Sequence, residues 1–137
     1  MSYTLILAVV LCLCTHFPSV LSGDKVKLTD VQLLTFRQGL NTTARRSHSV
    51  PQLNCRGGSA GCQHPPAIVE CHNRGTDGRD IEWECHANMN ESQKLGMIQV
   101  KCEGYDNLQD EYVLEGSCSL DYTLEKTVCE GCSKDDA

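Results

Sequence analysis

The sequence has no excess of basic charge: 12 Lys and Arg stand against 18 Asp and Glu, for a net charge of −6. An acidic chain is poorly suited to nucleic acid or an anionic membrane as its main partner. A membrane-spanning run is also missing. The longest apolar stretch, Leu5 to Cys14, has ten residues, about half of the roughly 20 a bilayer helix needs. There is no nucleophile elbow, no Ser-His-Asp set and no paired-carboxylate arrangement, so hydrolytic catalysis has nothing to act through. The expectation is a protein that is not an enzyme and needs no cofactor. No internal repeat or low-complexity tract is found, and no helical period is sustained beyond the segment Asp30 to Arg37.

What is there begins with a leader. The apolar run fits the core of a signal peptide, and Val20 and Ser22 fit the −3 and −1 positions of its cleavage site,. Three parts are expected: a signal peptide at 1–22, a β domain at 23–122, and a short acidic tail at 123–137. Cleavage would remove Cys12 and Cys14 and leave eight of the ten cysteines. In an oxidising compartment so dense a set reads as disulfides: Cys55, Cys62, Cys71, Cys85, Cys102, Cys118, Cys129 and Cys132. Two sequons agree with the secretory route, at Asn41 and Asn90,.

Hydrophobic periodicity points to strands. In "RDIEWECH", Arg79 to His86, Ile81, Trp83 and Cys85 alternate with Asp80, Glu82, Glu84 and His86, the pattern of a strand with one wet face. "MIQVKCE", Met97 to Glu103, repeats it, and "AIVECH" places Val69 and Cys71 on one face. "EYVLEGSC", Glu111 to Cys118, is strand-like, while "DVQLLTFR" suits a strand or a short helix. Turn residues fill the gaps,. The fold class expected is all-β, a small disulfide-stapled antiparallel β-sandwich. Trp83, the only tryptophan, is expected to be buried in it. The segment Asn41 to Ser49 reads as an exposed loop, and its Arg45-Arg46 pair as solvated rather than as a processing site.

The cysteines on strands are placed near strand ends, on the apolar face. Alternate strands of an antiparallel sheet bring like ends together. This favours Cys71 with Cys102 and Cys85 with Cys118, and leaves Cys55 with Cys62 to close a glycine-rich loop. Cys129 and Cys132 have a redox spacing, but the acidic residues around them would raise the thiol pKa, so a tail disulfide is the reading kept. Zinc is not expected: a second C-x-x-C is missing, and His72 and His86 point away from their neighbouring cysteines. Two acidic stretches, Asp77, Asp80, Glu82 and Glu84, and Asp106, Asp110 and Glu111, could be weighed for calcium. Neither has the spacing of a twelve-residue calcium loop, and both are read as wet surface.

Four blocks then occur in a specific order: "LTDVQLLTF", "VPQLNCRGGSAGC", "GTDGRDIEWEC" and "KCEGYDNLQDEYVLEGSCSLDY". From Leu28 to Tyr122 they resemble the luminal domain of the store-operated calcium entry-associated regulatory factor family. The resemblance implies a β-sandwich with disulfides among Cys55, Cys62, Cys71, Cys85, Cys102 and Cys118. It also implies protein partners in the calcium-entry machinery, residence in the endoplasmic reticulum, and a luminal part able to dimerise. In that family a transmembrane helix and cytosolic tail follow, where this sequence reads "VCEGCSKDDA". The expectation is a truncated product or a secreted relative, and "KDDA" is no KDEL-type retrieval signal. The alternative function is a secreted, disulfide-rich protein-binding module with no role in calcium entry. A homodimer is expected through exchange of the "DVQLLTF" strand, with Asn41 to Ser49 as the hinge.

Overall fold

The computed structural model describes residues 23–127. The expected signal peptide and the Cys129 and Cys132 pair lie outside the described residues. Eight strands follow in chain order: β1 (Lys25–Lys27), β2 (Leu33–Arg37), β3 (Leu53–Cys55), β4 (Ile68–Thr76), β5 (Ile81–Ala87), β6 (Gln93–Lys101), β7 (Tyr112–Leu114) and β8 (Ser119–Lys126). A single 3-10 turn, Leu28–Asp30, precedes β2, so "DVQLLTFR" is a strand rather than a helix. Among the described residues no helix is long and apolar enough to cross a membrane.

The strands form two three-stranded sheets, β2-β4-β5 and β3-β8-β6, and a small β1-β7 pair. All pairings are antiparallel except β3 with β8, which is parallel. The two larger sheets share one core. Phe36, Val69 and Cys71 come from one of them, and Leu53, Leu120, Tyr122 and Leu124 from the other. The all-β expectation therefore stands. β8 was not among the expected strands, and it runs unbroken through residue 122, where the β domain was expected to end.

Local chemistry explains the hairpin that carries the alternating strand. Between β4 and β5, the Asp77 carboxylate accepts the backbone N–H groups of Arg79 at 2.9 Å and Asp80 at 2.8 Å. Gly78 supplies the positive φ the turn needs, at 99°,. One extra residue is accommodated in β4 between Asn73 and Thr76, and another in β6 between Leu95 and Ile98. These are β-bulges, which break the two-residue period of a strand.

The bridges correct the expected pairing. They are Cys55–Cys62, Cys71–Cys85 and Cys102–Cys118; only the first matches. Cys71 is not near the end of its strand, because β4 continues five residues beyond it to Thr76. It therefore lies directly across the hairpin from Cys85. Cys102 follows β6 and Cys118 precedes β8, one step beyond the Lys101–Ser119 pair. Both bridges thus join neighbouring strands. Cys85 and Cys118 do not meet as expected, since each is bonded to the cysteine of the strand that neighbours it in its own sheet.

Candidate interaction surface

The first two residues of the alternating face of β5 do not enter the sealed core. Trp83 lies on the inward side as expected but is only half-buried, which corrects the expectation of a buried anchor. It lines an open cleft of about 800 Å³ between the β5 and β6 flanks of the two sheets. Ile81 accompanies it from β5, Ile98 and Val100 face it from β6, and Leu28 closes one side. Leu108 stands on the rim, 91% exposed. Charged groups of both signs surround this apolar strip: Lys27, Arg79, Asp80, Asp110 and Glu111. Among the described residues β5 pairs only with β4 in its sheet, so its other edge presents backbone groups beside the cleft. Leu108 was missed from sequence, although an apolar residue inside the turn segment "GYDNLQD" has no strand face to explain it.

The acidic residues weighed for calcium have other work. Asp77 caps the β4–β5 turn, and the N–H groups of Asp80 and Arg79 hold its carboxyl below the usual range. Asp110 accepts the N–H groups of Tyr112 and Asp106, each at 3.0 Å, and is lowered for the same reason. The Arg74 guanidinium lies 2.6 Å from Glu84 and lowers its carboxyl, with His86 on the other oxygen at 3.0 Å. His72 and His86 are cross-strand neighbours, ring centres 6.0 Å apart, on the face opposite the Cys71–Cys85 bridge. Among the described residues no group of three or more His, Cys, Asp or Glu is placed to hold a metal ion.

The cystine loop is built against β8. The Ala60 N–H donates to the Leu124 carbonyl at 2.9 Å, and Leu124 N–H donates to Gly57 at 2.9 Å. A Cβ on Gly58 would lie 2.2 Å from the Leu124 carbonyl oxygen, and its φ is 105°, so only glycine fits. On the outer face of β8, Asp121 is 5% exposed. Burial would raise its pKa, but Lys101 at 2.8 Å and Arg56 at 3.3 Å outweigh that and hold it low.

The loop from Asn41 to Ser49 is exposed as expected except at Thr42, which is buried, and it is not loose. The Glu103 carboxylate accepts three successive backbone N–H groups: Arg45 at 3.0 Å, Arg46 at 2.5 Å and Ser47 at 3.0 Å. Arg46 donates through Nη2 to the Gly104 carbonyl at 2.6 Å, and Arg45 through Nη1 to the Tyr105 carbonyl at 2.5 Å. The Arg45 guanidinium also sits 4.0 Å over the Tyr105 ring,. Desolvation works against ionisation of Glu103, but the N–H groups of Arg45, Arg46 and Ser47 leave its carboxyl below the usual range. The two sequon asparagines, Asn41 and Asn90, are both exposed.

The described domain lies within residues 4–135, the span matched by the family model for the SOCE-associated regulatory factor of calcium homoeostasis. A store-operated calcium entry-associated regulatory factor of Danio rerio is 54% identical over 107 residues, covering 77% of this chain and 31% of that protein. The Xenopus laevis protein of the same name is 52% identical over 105 residues, 76% of this chain and 35% of the relative. The Homo sapiens one is 42% identical over 128 residues, 91% of this chain and 38% of the relative. The chain thus spans about a third of the length of these curated relatives. Because the matched span takes in both sheets, all three bridges and the cleft between β5 and β6, the chain belongs to the family of SOCE-associated regulatory factors of calcium homoeostasis.

Proposed function

We propose that this chain is a non-enzymatic luminal interaction domain that takes part in regulating store-operated calcium entry. The names of its relatives support the pathway, and the cleft supports the mode of action. An apolar strip beside an unpaired strand edge suits an extended protein segment. Such a segment would add its backbone to β5 and place side chains against Trp83 and Ile98. Delivery by the 1–22 signal peptide to the reticulum lumen, glycans on Asn41 and Asn90, and a tail bridge between Cys129 and Cys132 belong to the same reading. So does a homodimer formed by exchange of β2, an edge strand of its sheet,.

The test is calcium entry after store depletion, in cells that express the chain with wild-type sequence or with Trp83→Ser and Leu108→Asp together. The wild type is expected to alter the entry signal, and the double variant to be retained in the reticulum without altering it. An unchanged signal with wild-type protein in the lumen would defeat the regulatory reading. Quantitative export to the medium would favour the secreted binding module instead. Light scattering of deglycosylated protein across a concentration series tests the dimer, and a monomer mass at high micromolar concentration would rule it out.

A further inference from the structure

Arg45-Arg46 is the only pair of adjacent basic residues in the sequence. Its loop joins β2 to β3 and is drawn together at its neck. There Thr42 N–H donates to Val50 at 2.7 Å, and Val50 N–H donates to the Thr42 hydroxyl at 3.1 Å. The residues from Thr43 to Ser49 project from that neck and are exposed. A protease that reads paired basic residues needs both side chains free and the backbone extended across its cleft. Here neither condition is met. The three N–H groups from Arg45 to Ser47 converge on one carboxylate, and both guanidinium groups are bound to carbonyls of the 103–110 segment.

We propose that the Arg46–Ser47 peptide bond is a latent proteolytic processing site, closed by the clasp of Glu103 on the loop backbone. Its protease is an endoprotease specific for paired basic residues. Hydrolysis adds one water, breaks the bond between the Arg46 carbonyl carbon and the Ser47 nitrogen, and leaves a carboxylate on Arg46 and an amine on Ser47. The location gives the cut a consequence. All six bridged cysteines lie on the Ser47 side, from Cys55 to Cys118. The other side carries β1 and β2, held to the rest of the domain by backbone pairing, packing and side-chain hydrogen bonds such as those from Asn73 to the Thr29 and Val31 carbonyls, with no bridge among the described residues. Once cut, that segment has no covalent tie to the domain among the described residues, and its departure would bare the edge of β4 and the core around Val69, against which Phe36 packs.

The experiment is digestion of the folded chain by such a protease, followed by intact mass and by sequencing of the new N-terminus. Wild type is expected to be cut slowly, and Glu103→Ala at Arg46–Ser47 about tenfold faster or more, as suits the loss of charge-assisted bonds that hold the open form rare. Glu103→Gln serves if the alanine variant does not fold. Its backbone bonds to Ser117 and Leu114 need no carboxylate, and its melting point reports an intact domain. Cleavage as fast in wild type as in a reduced, unfolded control would overturn the proposal. So would a folded Glu103 variant as resistant as wild type.

Discussion

Strands β5 and β8 both alternate, but they stand in different surroundings. β5 is at the edge of its sheet, with Glu82, Glu84 and His86 in water and Ile81 and Trp83 facing an open cleft. β8 lies between β3 and β6, and Leu120, Tyr122 and Leu124 are all 0% exposed. Even its outward residues Ser119 and Asp121 are covered. A regular alternation therefore marks a strand without saying how deeply its apolar face is buried. The depth comes from the number of neighbours and from what packs on the other side. The wet strand holds the candidate interaction surface, and the dry one holds the domain together.

Five sets of variants and one mass map test that difference, the largest effect first. Tyr122→Ala should lower the unfolding free energy by about 3–5 kcal/mol, the usual cost of deleting a buried aromatic. Guanidinium unfolding with the disulfides intact reads it. Removing the β4–β5 bridge with Cys71→Ala and Cys85→Ala should cost about 2–4 kcal/mol. Mass mapping of unreduced protein should also recover Cys71–Cys85 and Cys102–Cys118, and a Cys71–Cys102 peptide would refute the pairing. Trp83→Ala should cost only about 1–2 kcal/mol, within the ordinary range for a partly exposed site. A loss equal to that of Tyr122→Ala would erase the distinction between the two strands.

The remaining two effects are smaller. Asp121 has its pKa lowered in the folded state from 3.8, so the unfolded chain binds its proton first as the pH falls. Its contribution is full above the unfolded value, from about pH 5 upward, and is lost as the pH drops through the lowered folded value. Asp121→Asn should flatten that part of the acid unfolding curve, measured by circular dichroism between neutral pH and pH 2. A variant with an unaltered acid limb would show the Lys101 and Arg56 pairs to be idle. Last, the Tyr122 hydroxyl is buried and has no hydrogen-bond partner among the described residues. Tyr122→Phe should therefore be neutral or stabilising by about 1 kcal/mol, and a clear loss in the melting scan would place a partner on that oxygen.

How much was legible in the sequence varies along the chain for physical reasons. β5 was readable from Ile81, Trp83 and Cys85 alone. β6 was readable only from Met97, because the bulge between Leu95 and Ile98 puts two inward residues three apart and breaks the period. β8 was hidden by Asp121. A carboxylate in mid-strand counts against the strand until Arg56 and Lys101, distant in sequence, are seen to neutralise it. Short β1 and β3 have too few residues to show any period. Of the candidate surface, Trp83 was singled out, but as a core residue, since alternation tells side from side and not sealed from open.

The sequence by itself determined the all-β class, the set of residues that form disulfides within the described domain and the small cystine loop. These follow from local pattern, cysteine density and glycine placement. Tertiary structure alone decided which cysteines pair, because pairing depends on strand register and on where each strand ends, and β4 ends five residues past Cys71. It alone decided that the basic loop is clasped rather than free, since Glu103 reaches Arg45 across 58 residues of chain. It also decided that the two sheets part at the β5 and β6 flank, because a cleft is a property of how two surfaces meet and neither strand's sequence contains it.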